Sequence, residues 1–277
     1  MIDFQCKSRY GYEDLLRIME ILRAPGGCPW DQEQTHASLR RNFLEETYEA
    51  LDAIDRENPQ DLCEELGDVL LQVIFHAEIE REKGAFSMED VVDGICKKLV
   101  YRHPHVFGTD QADTSEEVLV NWERLKRREK GQRSTADAVE AVAHTLPALW
   151  RAEKIQKKTA QAGFSWNELS GALDKLTEET GELREAAASG KAVDAPHGIR
   201  EEVGDTLFIA AKIAQMSGVD PEDALHRACD KYAARFRRVE EISGETPLAE
   251  RSQAELTAFW NQAKQKESST HKTCVQE

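Results

Sequence analysis

Apolar side chains recur every three or four positions through most of the chain. This is the spacing of one face of an amphipathic helix, whereas the β-branched runs are too short and too polar to alternate as strands. The pattern therefore predicts an all-α protein in which the apolar stripes form the core. The clearest stripes contain Leu15, Ile18, Met19 and Leu22, then Leu44, Tyr48, Leu51 and Ile54, and then Leu66, Val69, Leu70, Val73 and Ile74.

Helix breakers separate these stripes. PGG at 25–27, NP at 58–59 and KG at 83–84 each follow one of the three stripes and are typical of helix ends and turns. Further helices are predicted at 87–102, 114–130, 145–162, 169–188, 197–217, 220–243 and 252–266. The polar residues 267–277 are predicted to form a frayed tail.

The chain also repeats itself. EETYE at 45–49 recurs as EETGE at 178–182, and EELGD at 64–68 recurs as EEVGD at 201–205. Lys98 follows Glu45 by 53 positions, and Lys231 follows Glu178 by the same 53. We infer a duplicated helical domain, with a first domain at 1–130, a linker at 131–145 and a second domain at 146–266.

The repeated acidic motifs place carboxylates on one side of their helices. Residues i, i+1 and i+4 lie within an arc of roughly 100°, and a short connection makes the two flanking helices antiparallel neighbours. The acids of each pair of helices then meet at a similar height, about 8–15 Å from the turn in the first half. The facing acids are Glu46, Glu49, Glu65 and Asp68 in the first half and Glu179, Glu182, Glu202 and Asp205 in the second.

Converging carboxylates need a counter-charge, since they cannot all ionise beside one another. Oxygen ligands without His or Cys favour Mg²⁺, with Mn²⁺ as the second choice. A single acidic motif is more often a solvated surface, but two facing motifs that occur twice favour a metal site. Such a site keeps positions open for water or substrate phosphate.

Basic and aromatic residues that recur in both halves suit a phosphorylated ligand. Two cation pairs with a spacing of four residues can grip phosphate oxygens, and two tryptophans, each followed by a lysine four residues later, can stack on a base. Surface cations and core tryptophans are the alternatives. The candidates are Lys98, Arg102, Trp122 and Lys126, and then Lys231, Arg235, Trp260 and Lys264.

Composition narrows the classes of protein to which this chain can belong. The 277 residues include 52 acids and 36 bases, a formal charge of −16, which disfavours binding to a nucleic-acid duplex. The four acidic motifs hold 12 of those acids, so metal sites account for most of the excess. No apolar run is long enough to span a membrane, and six cysteines without a CxxC pair predict a cytoplasmic protein. The only ExxH, at 33–36, lies outside the acidic helices and disfavours a ferritin-like di-metal protein.

Several stretches together resemble the MazG family of nucleoside triphosphate pyrophosphohydrolases. They are CPWD at 28–31, QTH at 34–36, LEETYE at 44–49, EELGD at 64–68, RHPHVF at 102–107, KIQKK at 154–158, GFSW at 163–166 and EEVGD at 201–205. The resemblance covers about residues 12–266 in a tandem form. It implies a homodimer whose helical bundles are shared between subunits, and Mg²⁺-dependent hydrolysis of (deoxy)nucleoside triphosphates between the α and β phosphates. Cleansing of the nucleotide pool is the role it implies.

The resemblance also implies roles for individual residues. The four facing acids of each half would bind metal, Lys175, Lys231 and Arg235 would contact phosphates, and Trp260 and Lys264 would hold the nucleotide. The remaining acids of the four acidic motifs are candidates for orienting or deprotonating the attacking water, and the choice among them stays open. These acids are Glu178 and Glu201, with Glu45 and Glu64 as their counterparts.

The two halves depart from each other and from the family pattern. Cys229 stands two residues before Lys231, where the family often has Asn, and Asn42 stands where the second half has Lys175. We hypothesise that the second half is the active one and that the first is weaker or regulatory. The alternative function is a catalytically weak helical dimerisation or adaptor protein that retains its metal sites.

Overall fold

The computed structural model describes the backbone of residues 4–273 and the side chains of residues 4–265. Within this part of the chain every regular element is helical, which confirms the all-α prediction. The chain divides into two compact units, residues 1–126 and 127–277. The α-helices are α1 (Tyr12–Arg23), α2 (Pro29–Glu33), α3 (His36–Asp55), α4 (Pro59–Glu82), α5 (Met88–Arg102), α6 (Pro104–Phe107), α7 (Ser115–Glu129), α8 (Thr135–Glu140), α9 (Ala148–Gln161), α10 (Leu169–Ala188), α11 (Ile199–Met216), α12 (Pro221–Ser243) and α13 (Gln253–Thr273), with a short 3₁₀ turn at Leu248–Glu250.

The first unit is built around the paired helices α3 and α4. Only residues 56–58 connect them, and the Asn58 side chain accepts hydrogen bonds from the backbone N–H groups of Gln60 and Asp61 at 3.1 and 3.4 Å. Pro59 occupies the first turn of α4, where no intrahelical donor is needed. This cap fixes where α4 begins and therefore the height of its acids relative to those of α3.

The core of the first unit lies at the other end of α4. Ile74, Phe75 and Ile79 pack there with Met19 of α1 and Leu39 of α3. Burial of large apolar side chains stabilises the folded chain by about 1.5–3 kcal/mol each. This cluster holds α3 and α4 side by side, so their acidic faces stay opposed.

The second unit repeats this arrangement with α10 and α11 as the central pair. Their connection is longer, and it ends at Gly198 immediately before α11. A Cβ at that position would lie 2.6 Å from the carbonyl oxygen of Ala195 and 2.8 Å from that of Val193. Glycine is therefore needed for the chain to turn into the first turn of α11, which carries Glu201 and Glu202.

Three details differ from the sequence predictions. The α3 stripe is not core, because Leu44 and Ile54 are each 51% exposed and Tyr48 and Leu51 are also exposed. Leu66 and Leu70 of the α4 stripe are exposed as well, so only the later part of that stripe is core. Residues 135–140 of the predicted linker form α8. The last helix continues to Thr273 because no Pro or Gly interrupts it after residue 266, while residues 274–277 of the predicted tail lie outside the described residues.

None of the helices in the described part of the chain combines the length and apolar character needed to span a bilayer.

Candidate functional site

The acids of the first half meet between α3 and α4. Carboxylate oxygens of Glu46, Glu49 and Glu65 all lie within 4.8 Å of one another. Asp68 contributes through its charge, since it is among the neighbours that raise the pKa of Glu46. The helix geometry inferred from the sequence thus brings three of the four predicted acids together, with the charge of Asp68 acting on them.

This cluster carries more negative charge than its surroundings compensate. Desolvation, followed by the charges of Asp68, Glu49 and Glu65, raises the pKa of the Glu46 carboxyl. Desolvation and the neighbouring acids also raise the pKa of Glu65. Raised carboxyl pKa values mean that the ionised cluster is unfavourable without a counter-charge.

The second half forms a similar cluster in a more buried setting. Oxygens of Glu179 on α10 and of Glu202 and Asp205 on α11 lie within 4.8 Å of one another. Glu179 is only 6% exposed and Glu202 only 4%. Glu182 lies one turn after Glu179, and its pKa is raised by desolvation and by the charges of Glu179 and Glu202, against a lowering by Lys175.

The side chains of Lys175 and His197 adjoin this second cluster. The Lys175 amine lies 2.6 Å from a Glu178 oxygen and 2.8 Å from a Glu179 oxygen, and these bonds raise the pKa of Lys175. His197 places its Nδ1 3.8 Å from Glu202. The first cluster has Asn42 where the second has Lys175, so the two clusters differ in their built-in counter-charge.

The four acids proposed to act on water are all exposed at the edges of the clusters. Glu178 pairs with Lys175, and Glu45 pairs with Arg41 at 2.7 Å. Glu201 accepts a hydrogen bond from the backbone N–H of His197 at 2.8 Å, which fixes its orientation. Glu64 is exposed on α4 beside Glu65, and its charge contributes to the raised pKa of Glu65.

The aromatic and basic candidates form a second recurring unit. The Arg102 guanidinium lies 5.2 Å from the ring centroid of Trp122, and that of Arg235 lies 5.4 Å from the Trp260 ring. Tyr232 packs against Trp260 at a centroid distance of 5.0 Å. These contacts join α5 to α7 and α12 to α13, so the tryptophans support the arginines that are the phosphate candidates.

The predicted lysines lie around these arginine–tryptophan pairs. Lys98, Lys231 and Lys264 are exposed. Lys126 lies 3.5 Å from Glu123, one turn earlier on α7. Ammonium groups on long side chains suit the phosphate and nucleotide contacts expected for them.

Sequence reasoning missed two polar groups that are buried in the second half. Lys212 of α11 and Gln156 of α9 are 3% and 5% exposed and line one pocket. The available signal was a lysine within the otherwise apolar stretch of α11, between Ile209 and Ile213. Spacing alone does not separate a buried lysine from one whose long stem reaches solvent.

The clusters fit a hard divalent cation on chemical grounds. Their donors are carboxylate oxygens, Glu179 and Glu202 are removed from bulk water, and the excess negative charge is relieved by a cation. The Lys175 ammonium group beside the second cluster suits an anionic ligand. Such an arrangement can position a polyphosphate and a water molecule for hydrolysis.

Comparison with known proteins provides independent evidence about the family of this chain. A family model described as the MazG nucleotide pyrophosphohydrolase domain matches residues 34–107 and 168–239, the two segments that contain the acidic clusters. The chain is 42% identical over 255 residues to the nucleoside triphosphate pyrophosphohydrolase/pyrophosphatase MazG of Thermotoga maritima, covering 91% of this chain and 95% of that protein. It is 44% identical over 257 residues to a nucleoside triphosphate pyrophosphohydrolase of Escherichia coli K12, covering 91% and 97%.

Proposed function

Because the chain belongs to the MazG family of nucleotide pyrophosphohydrolases, we propose that it hydrolyses (deoxy)nucleoside triphosphates between the α and β phosphates with Mg²⁺ as cofactor. The products are a nucleoside monophosphate and pyrophosphate. The family makes the protein a hydrolase of nucleoside triphosphates. The magnesium requirement, the use of deoxynucleotides and a role in cleansing the nucleotide pool belong to the proposal.

One observation carries the proposal, the convergence of Glu179, Glu202 and Asp205 within 4.8 Å with two of them buried. A buried group of acids is costly unless it is compensated. A similar group recurs in the first half, where Glu46 and Glu65 occupy the motif positions of Glu179 and Glu202, and this argues against a chance surface cluster. A structural adaptor would have no need of such a site.

Each group of site residues has a separate role in the proposed hydrolysis. Glu179, Glu182, Glu202 and Asp205 would hold the metal, which supplies charge neutralisation of the triphosphate and lowers the pKa of a bound water. Lys175, Lys231 and Arg235 would neutralise phosphate oxygens that the carboxylates cannot approach. Glu178 or Glu201 would accept the proton of the attacking water, and Trp260 with Lys264 would hold the nucleotide.

The second half is the stronger candidate for catalysis. Its acids are the more buried, and Lys175 supplies a cation that Asn42 cannot. Glu46, Glu49, Glu65 and Asp68 would bind metal in the first half, where Lys98, Arg102, Trp122 and Lys126 are the matching ligand contacts. We propose that this half is weaker or regulatory.

The exposed apolar face of α3 supports a homodimer. Leu44, Tyr48, Leu51 and Ile54 lie along one side of the helix, and all four are exposed in the single chain. A contiguous apolar face on a soluble protein marks an interaction surface, and a second copy would cover it. The free cysteines of the described residues support a reducing compartment, and we propose the cytoplasm.

Product analysis tests the activity directly. The purified protein, incubated with dATP and Mg²⁺, is expected to release dAMP and pyrophosphate, and to lose this activity when EDTA removes the metal. Release of orthophosphate would indicate a different phosphohydrolase. Absence of turnover with every triphosphate would instead favour the adaptor alternative.

A further inference from the structure

Two histidines connect the start of α3 to α4 in the first unit. His36 is the first residue of α3, and its Nδ1 lies 2.7 Å from Nδ1 of His76 on α4. The two rings are nearly parallel, with centroids 5.0 Å apart and an angle of 17° between their planes. Two ring nitrogens at this distance share a hydrogen bond, because two lone pairs or two N–H groups would repel each other.

A carboxylate holds the opposite side of the His36 ring. Nε2 of His36 lies 2.6 Å from an oxygen of Glu80, which follows His76 by one turn on α4. The amine of Lys83 lies 2.6 Å from the same oxygen. The hydrogen bond from Lys83, followed by that from His36, lowers the pKa of Glu80. Glu80 is therefore ionised near neutral pH and accepts the Nε2–H of His36.

This geometry limits the number of protons that the two rings can carry. With the Nε2–H of His36 donated to Glu80, a single proton between the two Nδ1 atoms completes the contact. One ring can become charged without loss of this hydrogen bond, since one Nδ1 still accepts. A charge on both rings places an N–H on each Nδ1, so the acceptor is lost and two like charges face each other.

The surroundings of His76 favour its neutral form. Phe43 of α3 packs against the ring with a centroid distance of 5.7 Å and offers no hydrogen-bond acceptor. Burial, followed by the charge of His36, lowers the pKa of His76. His36 begins a helix, where the helix dipole also disfavours added positive charge. A second proton on the pair is therefore resisted by the geometry, by burial and by the neighbouring charges.

The helices α1 and α5 also pack against α4, but their ion pairs are separate from the two histidines. These pairs join Arg23 to Glu82, Glu20 to Arg81, and Asp93 to Lys97. None of these groups is among the causes of the His76 pKa shift. Within the described residues, Glu80 is the one carboxylate in ion-pair contact with either ring. The protonation of the pair is thus balanced by Glu80 and, through it, by Lys83.

The second half has no counterpart of this pair. Motif alignment puts Leu169 at the position of His36, Ile213 at that of His76 and Ser217 at that of Glu80. These side chains do not titrate in the range where histidine does. A response of this kind is therefore confined to the first half.

We propose that His36 and His76 form a pH-sensitive switch that holds the start of α3 on α4 near neutral pH and releases it when both rings are protonated. Release follows because the charged rings have to separate. Mild acid then weakens the first half and not the second. This inference concerns the fold of the first half and does not depend on the proposed hydrolysis.

The pH range of the switch follows from the lowered pKa of His76. In the unfolded chain this ring takes up a proton near the ordinary histidine pKa of about 6.5, whereas the folded chain takes it up only at a lower pH. The contribution of the pair to stability is therefore fully present above about pH 6.5 and is lost as the pH falls through the folded pKa.

Thermal unfolding of the full chain in EDTA tests the switch. Between pH 7 and pH 5, the Tm of the wild type is expected to fall about 2–4 °C further than that of His76→Gln, because glutamine can hydrogen-bond to His36 but does not titrate. His226→Gln makes the same change at an exposed histidine of α12, and its Tm should fall as in the wild type. Equal falls for the wild type and His76→Gln would overturn the proposal.

NMR of the histidine-labelled protein tests the contact between the rings in the folded state. His76, assigned by its absence from the spectrum of His76→Gln, is expected to titrate below about pH 6.5. In His36→Leu it should titrate at a higher pH than in the wild type, because the neighbouring charge is removed. Leucine is the first residue of α10, the matching helix of the second half. The same titration of His76 in the wild type and in His36→Leu would refute the switch, as would titration at or above pH 6.5 in the wild type.

Discussion

The amine of Lys175 lies 2.8 Å from a carboxylate oxygen of Glu179, and both side chains project from the same face of α10, one turn apart. Glu179 is one of the buried acids of the second cluster. In the absence of a metal, the lysine thus provides a cation at the site. We expect the same amine to contact a phosphate oxygen when a triphosphate binds at the proposed site.

Replacing Lys175 by the residue found in the first half tests this role. Lys175→Asn removes the cation, so the KM for the triphosphate is expected to rise about 10-fold, with a smaller change in kcat. Initial-rate measurements over a range of substrate concentrations give both parameters. Arg184→Asn, on the exposed part of α10, is a control that should change neither, and an unchanged KM in Lys175→Asn would argue against phosphate contact.

Separate alanine substitutions in the two clusters distinguish the halves. Glu179→Ala removes a buried acid of the proposed metal site, and pyrophosphate release is expected to fall more than about 100-fold. Glu46→Ala in the less buried first cluster should lower it by less than about 3-fold if that half is weaker or regulatory. Pyrophosphate release from the two purified variants is the measurement. Full activity of the Glu179→Ala protein would refute the assignment of catalysis to the second half.

The raised pKa of Glu46 predicts a pH-dependent stability of the metal-free protein. Its causes are desolvation and then Asp68 and the other neighbouring acids, so the folded chain binds this proton more tightly than the unfolded chain. The stabilisation is fully present below the unfolded pKa and is lost as the pH rises through the folded pKa. At pH 7 the ionised Glu46 therefore destabilises the metal-free fold.

Replacing Glu46 by a neutral residue should reveal this destabilisation. In EDTA, Glu46→Gln is expected to raise the Tm by about 1–2 °C at pH 7, and by less at pH 5. With Mg²⁺ the order should reverse, because the wild type gains more from the metal. Thermal unfolding at both pH values, with and without metal, measures this. A lower Tm for Glu46→Gln in EDTA at pH 7 would contradict the electrostatic account.

Much of this site follows from local sequence physics. The i, i+1, i+4 spacing of acids and the NP turn at 58–59 are enough to predict that Glu46, Glu49 and Glu65 meet. The capping of α4 by Asn58 is likewise local. These features depend on helix period and turn chemistry, which a single sequence carries.

Other features depend on contacts that the sequence pattern does not reveal. Leu44 and Leu51 belong to a regular apolar stripe, yet they are exposed in the single chain. The sequence pattern shows that one face of the helix is apolar, but not which other surface packs against it. Lys212 is buried and lines a pocket together with residues of α9 and of the turn around Trp166, and both of these are distant in sequence. Tertiary packing therefore overrides the simple inside–outside rule at these positions.

The Arg235–Trp260 contact predicts a supporting role for the indole. A cation over an aromatic face contributes about 0.5–1 kcal/mol at an exposed site. Trp260→Leu removes this contact with the guanidinium and should raise the KM for triphosphates about 2–5-fold, with a similar effect for every base. A loss that depends strongly on the base would show instead that Trp260 stacks on the base itself.

The apolar face of α3 predicts the assembly state. If a second copy covers Leu44 and Leu51, the wild type is a dimer, and Leu44→Glu with Leu51→Glu buries two unpaired charges at the interface. The dissociation constant should then rise about 100-fold or more, and light scattering coupled to gel filtration should report a monomer. Leu44→Met with Leu51→Met keeps the face apolar and should remain dimeric. A glutamate variant with the same mass as the wild-type dimer would place the interface elsewhere, and a monomeric wild type would exclude it.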